Sequence, residues 1–198
     1  MNTKSIILII ILFIFSWAMR PIYNEPVVYK NFITNGECEY IKRKAMSRLK
    51  RSTVSEDYTI DDKIRKSETA WLTRKDPIIE SIIKKCVALT NRPIENCEDL
   101  QVLRYTSGGF YKPHQDTDKT DDNYRMYTVL LCLNDDFTGG ETSFPNLKKK
   151  YKLRKGDALF FNTVNNYHMM TDKAIHGGKP ITSGEKWICN LWVRKFKY

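Results

Sequence analysis

The sequence predicts a mainly β fold, a sandwich or barrel, with helices contributed by the first half of the chain. Two observations lead to this prediction. The second half consists of short β-branched or aromatic runs separated by glycine-rich turns such as Gly108-Gly109 and Gly139-Gly140. The first half instead contains two stretches in which apolar residues recur at helical spacing. The 198 residues suffice for one domain with a substantial core.

The first 20 residues are predicted to lie outside that domain. Residues 5–19 form an unbroken apolar run between Lys4 and Arg20. As a helix this run would span about 22 Å, short of the roughly 30 Å of a bilayer core. This length is typical of a signal peptide, and an uncleaved signal anchor is an equal alternative. A buried core helix is a third interpretation, which the lack of a polar face disfavours.

Either targeting interpretation predicts a secretory location. The domain would lie in the lumen of the endoplasmic reticulum, tethered to its membrane by residues 1–20, or free in the secretory lumen after cleavage. Disulfides can form in such a compartment. Among the five cysteines, Cys86 and Cys97 are the best candidates for a pair, since one ends a predicted helix and the other follows in the next loop. The remaining three fall in apolar patterns and are expected to be small core residues.

The order of elements follows from start and stop signals. A proline-containing linker, residues 21–28, precedes the domain, residues 29–198. The first helix is capped by Thr34 or Asn35 and continues through apolar positions up to Leu49. The second begins with Asp76 as cap and Pro77 in the first turn, and it ends before residues 91–93. Strands are predicted at residues 100–105, 127–133, 159–162 and 187–193.

The net charge of +10 is concentrated in two basic clusters, residues 42–51 and 148–155. Such clusters can attract nucleic acid, anionic lipid or acidic peptides. Neither cluster is interleaved with aromatic residues that could stack on bases. Solvated surfaces are therefore the favoured interpretation, and no nucleic-acid partner is expected.

The candidate site consists of two histidines and an aspartate. His114 and Asp116 would project from the same face of a strand, because residues two apart share a face, and Pro113 suits the first position of such a strand. With His176 they supply the two imidazoles and one carboxylate that hold non-haem Fe(II) in a facial triad. A lone His-x-Asp tripeptide often arises by chance, so the surrounding residues have to support it.

The surrounding motifs occur in a specific order. They are Tyr105, Gly108-Gly109 and Tyr111, then Gly139-Gly140-Glu141-Thr142, then His176-Gly177-Gly178, and finally Gly184-Glu185-Lys186-Trp187 with Trp192. In this order residues 101–194 resemble the catalytic domain of 2-oxoglutarate-dependent prolyl 4-hydroxylases, particularly the short plant, algal and viral type. The resemblance implies a double-stranded β-helix, or jelly roll, with the N-terminal helices packed on a sheet.

The resemblance also implies roles for individual residues. Iron would be bound by His114, Asp116 and His176. Lys186 would pair with the far carboxylate of 2-oxoglutarate, assisted by Thr142 and Tyr105. The positions that would face the peptide are Tyr111, Arg125 and Trp192. L-ascorbate is expected to restore oxidised iron, as in the family.

Two choices among residues follow from the pattern itself. His176 is preferred over His168 as the third iron ligand, because His168 lacks the following glycine pair, and His168 is expected in a loop near the entrance. In the last strand, alternation places Lys186, Ile188, Asn190 and Trp192 on one face and an entirely apolar set on the other. The lysine face is therefore expected to line the cavity.

The implied activity is hydroxylation of peptidyl proline with Fe(II), O₂ and 2-oxoglutarate, which leaves as succinate and CO₂. The partner would be a proline-containing polypeptide, and the N-terminal segment would contact a membrane if it is not cleaved. One alternative is an oxygenase of the same class that acts on lysyl residues, a small molecule or alkylated nucleic acid. Demethylases of nucleic acid usually hold 2-oxoglutarate with arginine, whereas this chain offers Lys186. A non-catalytic, metal-binding jelly roll is the remaining alternative.

Overall fold

The computed structural model describes residues 5, 6, 10, 19–54, 59–118 and 120–198. Most of the predicted targeting segment, residues 1–20, therefore lies outside the described residues. Among those that are described, no helix combines the length and the hydropathy needed to cross a bilayer.

Two helices and many short strands make up the described part of the chain. The helices are α1 (Asn35–Met46) and α2 (Pro77–Val87). In chain order the strands are β1 (Val27–Tyr29), β2 (Lys50–Arg51), β3 (Arg65–Lys66), β4 (Glu68–Leu72), β5 (Leu100–Tyr105), β6 (Phe110–His114), β7 (Arg125–Cys132), β8 (Thr138–Gly139), β9 (Thr142–Phe144), β10 (Lys149–Tyr151), β11 (Ala158–Asn162), β12 (His176–Gly178), β13 (Ile181–Ser183) and β14 (Lys186–Arg194).

The strands form two main antiparallel sheets and one small ribbon. The major sheet has seven strands in the order β1-β11-β7-β14-β5-β4-β2, and the minor sheet has five in the order β10-β9-β12-β6-β3. Strands β8 and β13 pair separately. Spatial neighbours are mostly distant in sequence, as in a jelly roll. The predicted double-stranded β-helix is confirmed.

Two apolar clusters hold the layers together. The first lies between the helices and the outer face of the major sheet, where Ile41 of α1 and Ile82 of α2 are in the same cluster as Leu191 of β14. The second lies between the sheets and contains Phe144, Phe161 and others. The helices thus pack on one face of the major sheet, and the other face is left to form the site.

The predicted helix starts are confirmed by their caps. Thr34 and Glu37 form a capping box at α1, in which the Glu37 backbone N–H donates to Thr34 Oγ1 at 3.2 Å. Asp76 accepts from the backbone N–H groups of the first turn of α2. However, α1 ends at Met46, so Leu49 lies beyond the helix although it still packs against the core. The apolar spacing at Leu49 therefore indicated packing against the core and not the length of the helix.

Two other predictions need correction. The segment predicted as a linker, residues 21–28, packs on the domain: Val27 pairs with Phe160 of β11, and the buried Tyr23 hydroxyl donates to Asn162 O at 2.9 Å. The predicted disulfide is not formed, since Cys86 and Cys97 are free thiols. Both are buried in the cluster between helices and sheet, where a thiol packs as a small apolar group.

Candidate active site

A cavity of about 990 Å³ opens between the two sheets. It is bordered by β6 and β12 of the minor sheet and by β5, β7 and β14 of the major sheet. All nine residues predicted for the site line it: Tyr105, Tyr111, His114, Asp116, Arg125, Thr142, His176, Lys186 and Trp192.

The two histidines meet across neighbouring strands. Strand β12 runs antiparallel to β6, and their register places His176 directly opposite His114. Their Nε2 atoms lie 3.6 Å and 3.5 Å, respectively, from the two carboxylate oxygens of Asp116. The ligand atoms of the three residues all lie within 4.8 Å of one another. No other group of at least three His, Cys, Asp or Glu residues with this potential occurs in the described parts of the chain.

This geometry corrects one detail of the predicted strand. Strand β6 ends at His114, so Asp116 reaches the site from the turn that follows, and Pro113 is the penultimate residue of β6 and not the first. Gly177 on β12 packs against this proline: a Cβ atom there would lie 2.9 Å from Pro113 N. The absence of a side chain at position 177 therefore lets β12 approach β6.

Backbone carbonyls orient both imidazole rings. Nδ1 of His114 lies 2.8 Å from Lys112 O, and Nδ1 of His176 lies 3.1 Å from Ala174 O. Nδ1 is therefore the protonated nitrogen in each ring, and the Nε2 lone pair faces the third member of the cluster. Burial lowers the pKa of His176 to about 4, which keeps this ring neutral.

The aspartate is held in its ionised form. Burial alone would raise the pKa of Asp116, but the neighbouring imidazoles of His176 and His114 and the charge of Arg125 outweigh it and hold the pKa well below its usual range. Thr128 of β7 donates to Asp116 Oδ2 at 2.7 Å. Two imidazoles and one carboxylate, converging on a cavity with room for further ligands, fit Fe(II).

Lys186 lies on the opposite wall, at the start of β14 and across from Tyr105 of β5. Its side chain is buried, at 5% exposure, and donates to Gly140 O at 2.5 Å. No described carboxylate forms an ion pair with it. Burial lowers its pKa to about 8, a shift that Cys132 and Glu141 partly oppose. A buried ammonium without a counter-charge is costly, and the far carboxylate of 2-oxoglutarate would supply that charge.

Thr142 and Tyr105 line the same wall. Both are buried, and the ring centroid of Tyr105 lies 6.0 Å from Lys186 Nζ. Thr142 belongs to β9, in the minor sheet, and Tyr105 to β5, in the major sheet. The end of the cavity around Lys186 is thus enclosed from both sheets.

Two of the residues predicted to face a peptide, Tyr111 and Arg125, also contact the iron-binding cluster. Tyr111 stacks on His114, with ring centroids 3.7 Å apart. The Arg125 guanidinium lies 3.6 Å from the centroid of the Trp192 ring and donates to both oxygens of the buried Glu98, at 2.7 Å and 2.9 Å. Arg125 also donates to the backbone oxygen of Asp116 at 3.3 Å. Arg125 is therefore tied to Glu98 and Asp116 while it lines the cavity.

Among the described residues that line the cavity, Oε1 of Gln115 and two polar atoms of β14 have no hydrogen-bond partner. The two on β14 face the interior of the cavity. They are Oδ1 of Asn190 and Nε1 of Trp192, both on the face of β14 that also carries Lys186. Alternation along β14 therefore runs as predicted. Buried polar atoms are normally paired, so these two are available to a bound substrate.

The structure adds residues that the sequence did not identify. Trp71 of β4 lines the cavity at 43% exposure, and its ring centroid lies 6.1 Å from that of Trp192. In the sequence, the only indication of this role is a tryptophan placed between two apolar residues, Ala70 and Leu72. Thr128 was likewise missed, although it is a hydroxyl within the apolar run of β7.

His168 stays outside the cluster. It lies in an exposed loop with a positive φ of 60°, and its Nδ1 is 3.3 Å from the hydroxyl of Tyr124. Tyr124 lines the cavity. His168 is therefore a loop residue near the entrance, as expected, and His176 is the histidine that joins His114 and Asp116.

Comparison with known proteins agrees with this geometry. The family described as the 2OG-Fe(II) oxygenase superfamily matches residues 100–194. A protein of Acanthamoeba polyphaga mimivirus, provisionally named a prolyl 4-hydroxylase, is 37% identical over 187 residues, which cover 89% of this chain and 76% of the relative. Prolyl 4-hydroxylase 1 of Arabidopsis thaliana is 36% identical, with 91% of this chain and 70% of the relative covered.

A solved structure supports the same assignment. The viral collagen prolyl hydroxylase of Paramecium bursaria Chlorella virus-1, in complex with 2-oxoglutarate, superposes with a TM-score of 0.72 at 30% identity. The match covers 87% of this chain and 97% of that one. Similarity of sequence and similarity of fold thus extend over the same domain. The chain belongs to the prolyl 4-hydroxylase family of the 2OG-Fe(II) oxygenase superfamily.

Proposed function

We propose that this protein is a prolyl 4-hydroxylase that acts on proline within a polypeptide. The observation that carries the proposal is the pairing, in one cavity, of the His114, Asp116 and His176 cluster with the buried and unneutralised Lys186. That combination serves an enzyme that binds both a metal and an acidic cosubstrate. The relatives named prolyl 4-hydroxylases, and the viral structure named a collagen prolyl hydroxylase, support a peptidyl proline as the target.

The residues have separate tasks in this proposal. His114, Asp116 and His176 hold Fe(II), and Lys186 pairs with the far carboxylate of 2-oxoglutarate, with Thr142 and Tyr105 beside it. When bound, iron and 2-oxoglutarate supply the oxidation, in which O₂ gives one oxygen atom to proline and one to succinate, with loss of CO₂.

The peptide would enter where the cavity opens. Trp71 and Trp192 offer apolar surfaces for a proline ring, and Trp192 Nε1 offers a hydrogen bond to a peptide carbonyl. Tyr111 and Arg125 would act at the same mouth while they brace His114 and the Asp116 backbone.

The test is a coupled assay with mass spectrometry. The protein is supplied with Fe(II), 2-oxoglutarate and O₂, together with a proline-rich peptide or a matched peptide in which lysine replaces proline. We expect succinate release to be stimulated by the proline peptide alone, with one oxygen atom added at C4 of proline. Stimulation by the lysine peptide alone, or succinate release that is the same with and without either peptide, would contradict the proposal.

Ascorbate and cellular location are parts of the same proposal. L-ascorbate would restore iron that is oxidised in unproductive turnovers, and the family resemblance supports this. Omission of ascorbate is expected to shorten the period of linear turnover, which fresh ascorbate and Fe(II) should restore.

The apolar run of residues 5–19 supports a location at the membrane of the endoplasmic reticulum or in the secretory lumen. Protease protection of the domain in intact microsomes tests it.

A further inference from the structure

One side of the jelly roll is formed by the edges of both sheets. Strand β1 is an edge of the major sheet, and β10 is an edge of the minor sheet. Residues 19–29, here called the N-terminal strip, join these edges. Glu25 forms an ion pair with Lys149, and the Tyr151 hydroxyl donates to Pro26 O at 3.3 Å. At its other end the strip is bound to a loop, where Asn166 Oδ1 accepts from the backbone N–H of Ile22 at 2.6 Å.

Six exposed apolar side chains lie on this side. They belong to the N-terminal strip and to the loop bound to it, and they are Met19, Ile22, Val27, Tyr29, Tyr167 and Met169. The Tyr167 hydroxyl lies 3.8 Å from Met19 Sδ, so the strip and the loop are in contact. A cluster of exposed apolar residues usually marks a surface that contacts another molecule or a membrane.

Positive charge adjoins these apolar residues. Residues 148–155, here called the basic hairpin, lie directly beside the N-terminal strip. Within the hairpin, Lys149 pairs with Glu25 and Lys155 pairs with Glu39. The other four basic side chains are exposed and form no ion pair with any described carboxylate: Lys148, Lys150, Lys152 and Arg154.

The basic hairpin does not border the active site. None of residues 148–155 is among those that line the cavity with His114 and Lys186. A peptide seated in that cavity would therefore not need the hairpin, which leaves its charge for a separate partner. That partner has to offer both an apolar surface for the exposed side chains and negative charge for the unpaired lysines. A soluble anion such as phosphate offers only the charge.

We propose that the N-terminal strip and the basic hairpin together dock the domain on a membrane that carries anionic phospholipids. The exposed apolar side chains would enter the boundary between headgroups and acyl chains, and the lysines would lie among lipid phosphates. The apolar run of residues 5–19 immediately precedes the strip in the sequence. Docking would hold the domain in a fixed orientation whether or not that run is cleaved.

The experiment uses the full chain and a nitroxide label on Val27→Cys. The five native thiols are buried, so the introduced thiol can be labelled selectively. A label on Ile78→Cys, on α2, is the reference, because Ile78 and Val27 have similar exposures of 42% and 46%. We expect vesicles of phosphatidylcholine with phosphatidylserine to protect the Val27 label, but not the Ile78 label, from a water-soluble relaxation agent. Vesicles of phosphatidylcholine alone should protect the Val27 label less and leave the Ile78 label accessible.

Paired charge reversals make the test specific. Lys150→Glu with Arg154→Glu should weaken binding to these vesicles at least about thirtyfold and so expose the Val27 label, since each basic residue near an anionic surface contributes about 1 kcal/mol. The matched control is Arg48→Glu with Lys50→Glu, in the turn before β2 and in β2 itself, at the opposite edge of the major sheet. It changes the net charge equally and should keep the protection.

The proposal is overturned if the Val27 label stays accessible on anionic vesicles, or if the two double variants lose protection equally. Hydroxylation of a soluble peptide in detergent provides a separate readout. Both double variants should retain it, which shows that they fold. If the Lys150 and Arg154 variant instead loses turnover on peptides with acidic flanks and keeps its lipid response to anionic vesicles, the hairpin serves substrate recognition and the membrane proposal is wrong.

Discussion

The two faces of β14 share one backbone and differ in almost every other respect. The core face consists of Trp187, Cys189, Leu191 and Val193, which are all buried against the helices and are apolar apart from the indole nitrogen. The cavity face carries Lys186, Ile188, Asn190 and Trp192, and these line the site. On this second face Lys186 has a carbonyl as its acceptor, while polar atoms of Asn190 and Trp192 have no partner.

The difference separates what stabilises the fold from what the site requires. Burial of an apolar side chain contributes roughly 1.5–3 kcal/mol to stability. A buried polar atom without a partner costs about 1–3 kcal/mol. The cavity face is therefore worse for the stability of the free protein than an apolar face would be. Its polar groups become favourable only when a ligand supplies their partners, which explains why they belong on the wall of the cavity.

The largest predicted effect comes from the cavity face, at Lys186. In Lys186→Met the carboxylate of 2-oxoglutarate would enter a buried site without its counter-charge, a loss of about 3–5 kcal/mol. We expect the KM for 2-oxoglutarate to rise by about two to three orders of magnitude, while the free energy of unfolding stays the same or increases. Enzyme kinetics and urea unfolding measure the two effects. The exposed Lys179→Met is the control, and a clear loss of stability in Lys186→Met would contradict the comparison.

The opposite face should give the opposite result. Leu191→Ala removes a fully buried side chain from the cluster between β14 and the helices. The free energy of unfolding should fall by about 3 kcal/mol, within the usual range for leucine in a core. The kcat/KM of the protein that remains folded should change little. Calorimetry and kinetics at a temperature well below the transition test this, and a selective loss of 2-oxoglutarate binding would show that the two faces are not independent.

The sequence predicted the faces of β14 more successfully than the contacts between strands. Alternation is local, so the lysine face could be identified from β14 alone. The partnership of His114 with His176, and the hydrogen bond from Thr128 to Asp116, depend on sheet register between distant segments. The end of α1 at Met46 was missed for a related reason. An apolar residue beyond a helix can still pack on the core, so its spacing looks helical.

A support residue for the iron-binding cluster should give an intermediate effect. Thr128→Val keeps the shape of the side chain but removes the donor to Asp116 Oδ2. Loss of a support of this kind typically weakens metal binding by about 10–100-fold. Anaerobic titration with Fe(II) should show this weakening, while the KM for 2-oxoglutarate at saturating iron changes little. The matched control is Thr138→Val in β8, whose hydroxyl contacts Thr182 and Ser183.

The pH dependence of 2-oxoglutarate binding tests the charge of Lys186 without any change in shape. The pKa of Lys186 is about 8 in the folded protein and 10.5 in the unfolded chain. Binding requires the charged form, so affinity should fall about tenfold per pH unit above pH 8. Between those two pKa values the unfolded chain binds more protons, so this group makes stability rise with pH. Calorimetric binding at pH 7, 8 and 9 measures the fall in affinity, which Lys186→Arg should abolish.

The smallest effect is predicted at the mouth, where the cavity face meets solvent. Trp71 is 43% exposed, and its ring is tilted by 44° against that of Trp192, with ring centroids 6.1 Å apart. An aromatic contact of this kind contributes about 0.5–1.5 kcal/mol, so Trp71→Ala should raise the KM for a proline peptide roughly three- to tenfold. Its exposure means that the free energy of unfolding should change little, and the KM for 2-oxoglutarate should not change. Phe196→Ala removes another exposed ring and serves as control. An unchanged KM for the peptide, or an equal loss in both variants, would show that Trp71 makes no specific contribution and would leave peptide recognition to residues inside the cavity, such as Trp192.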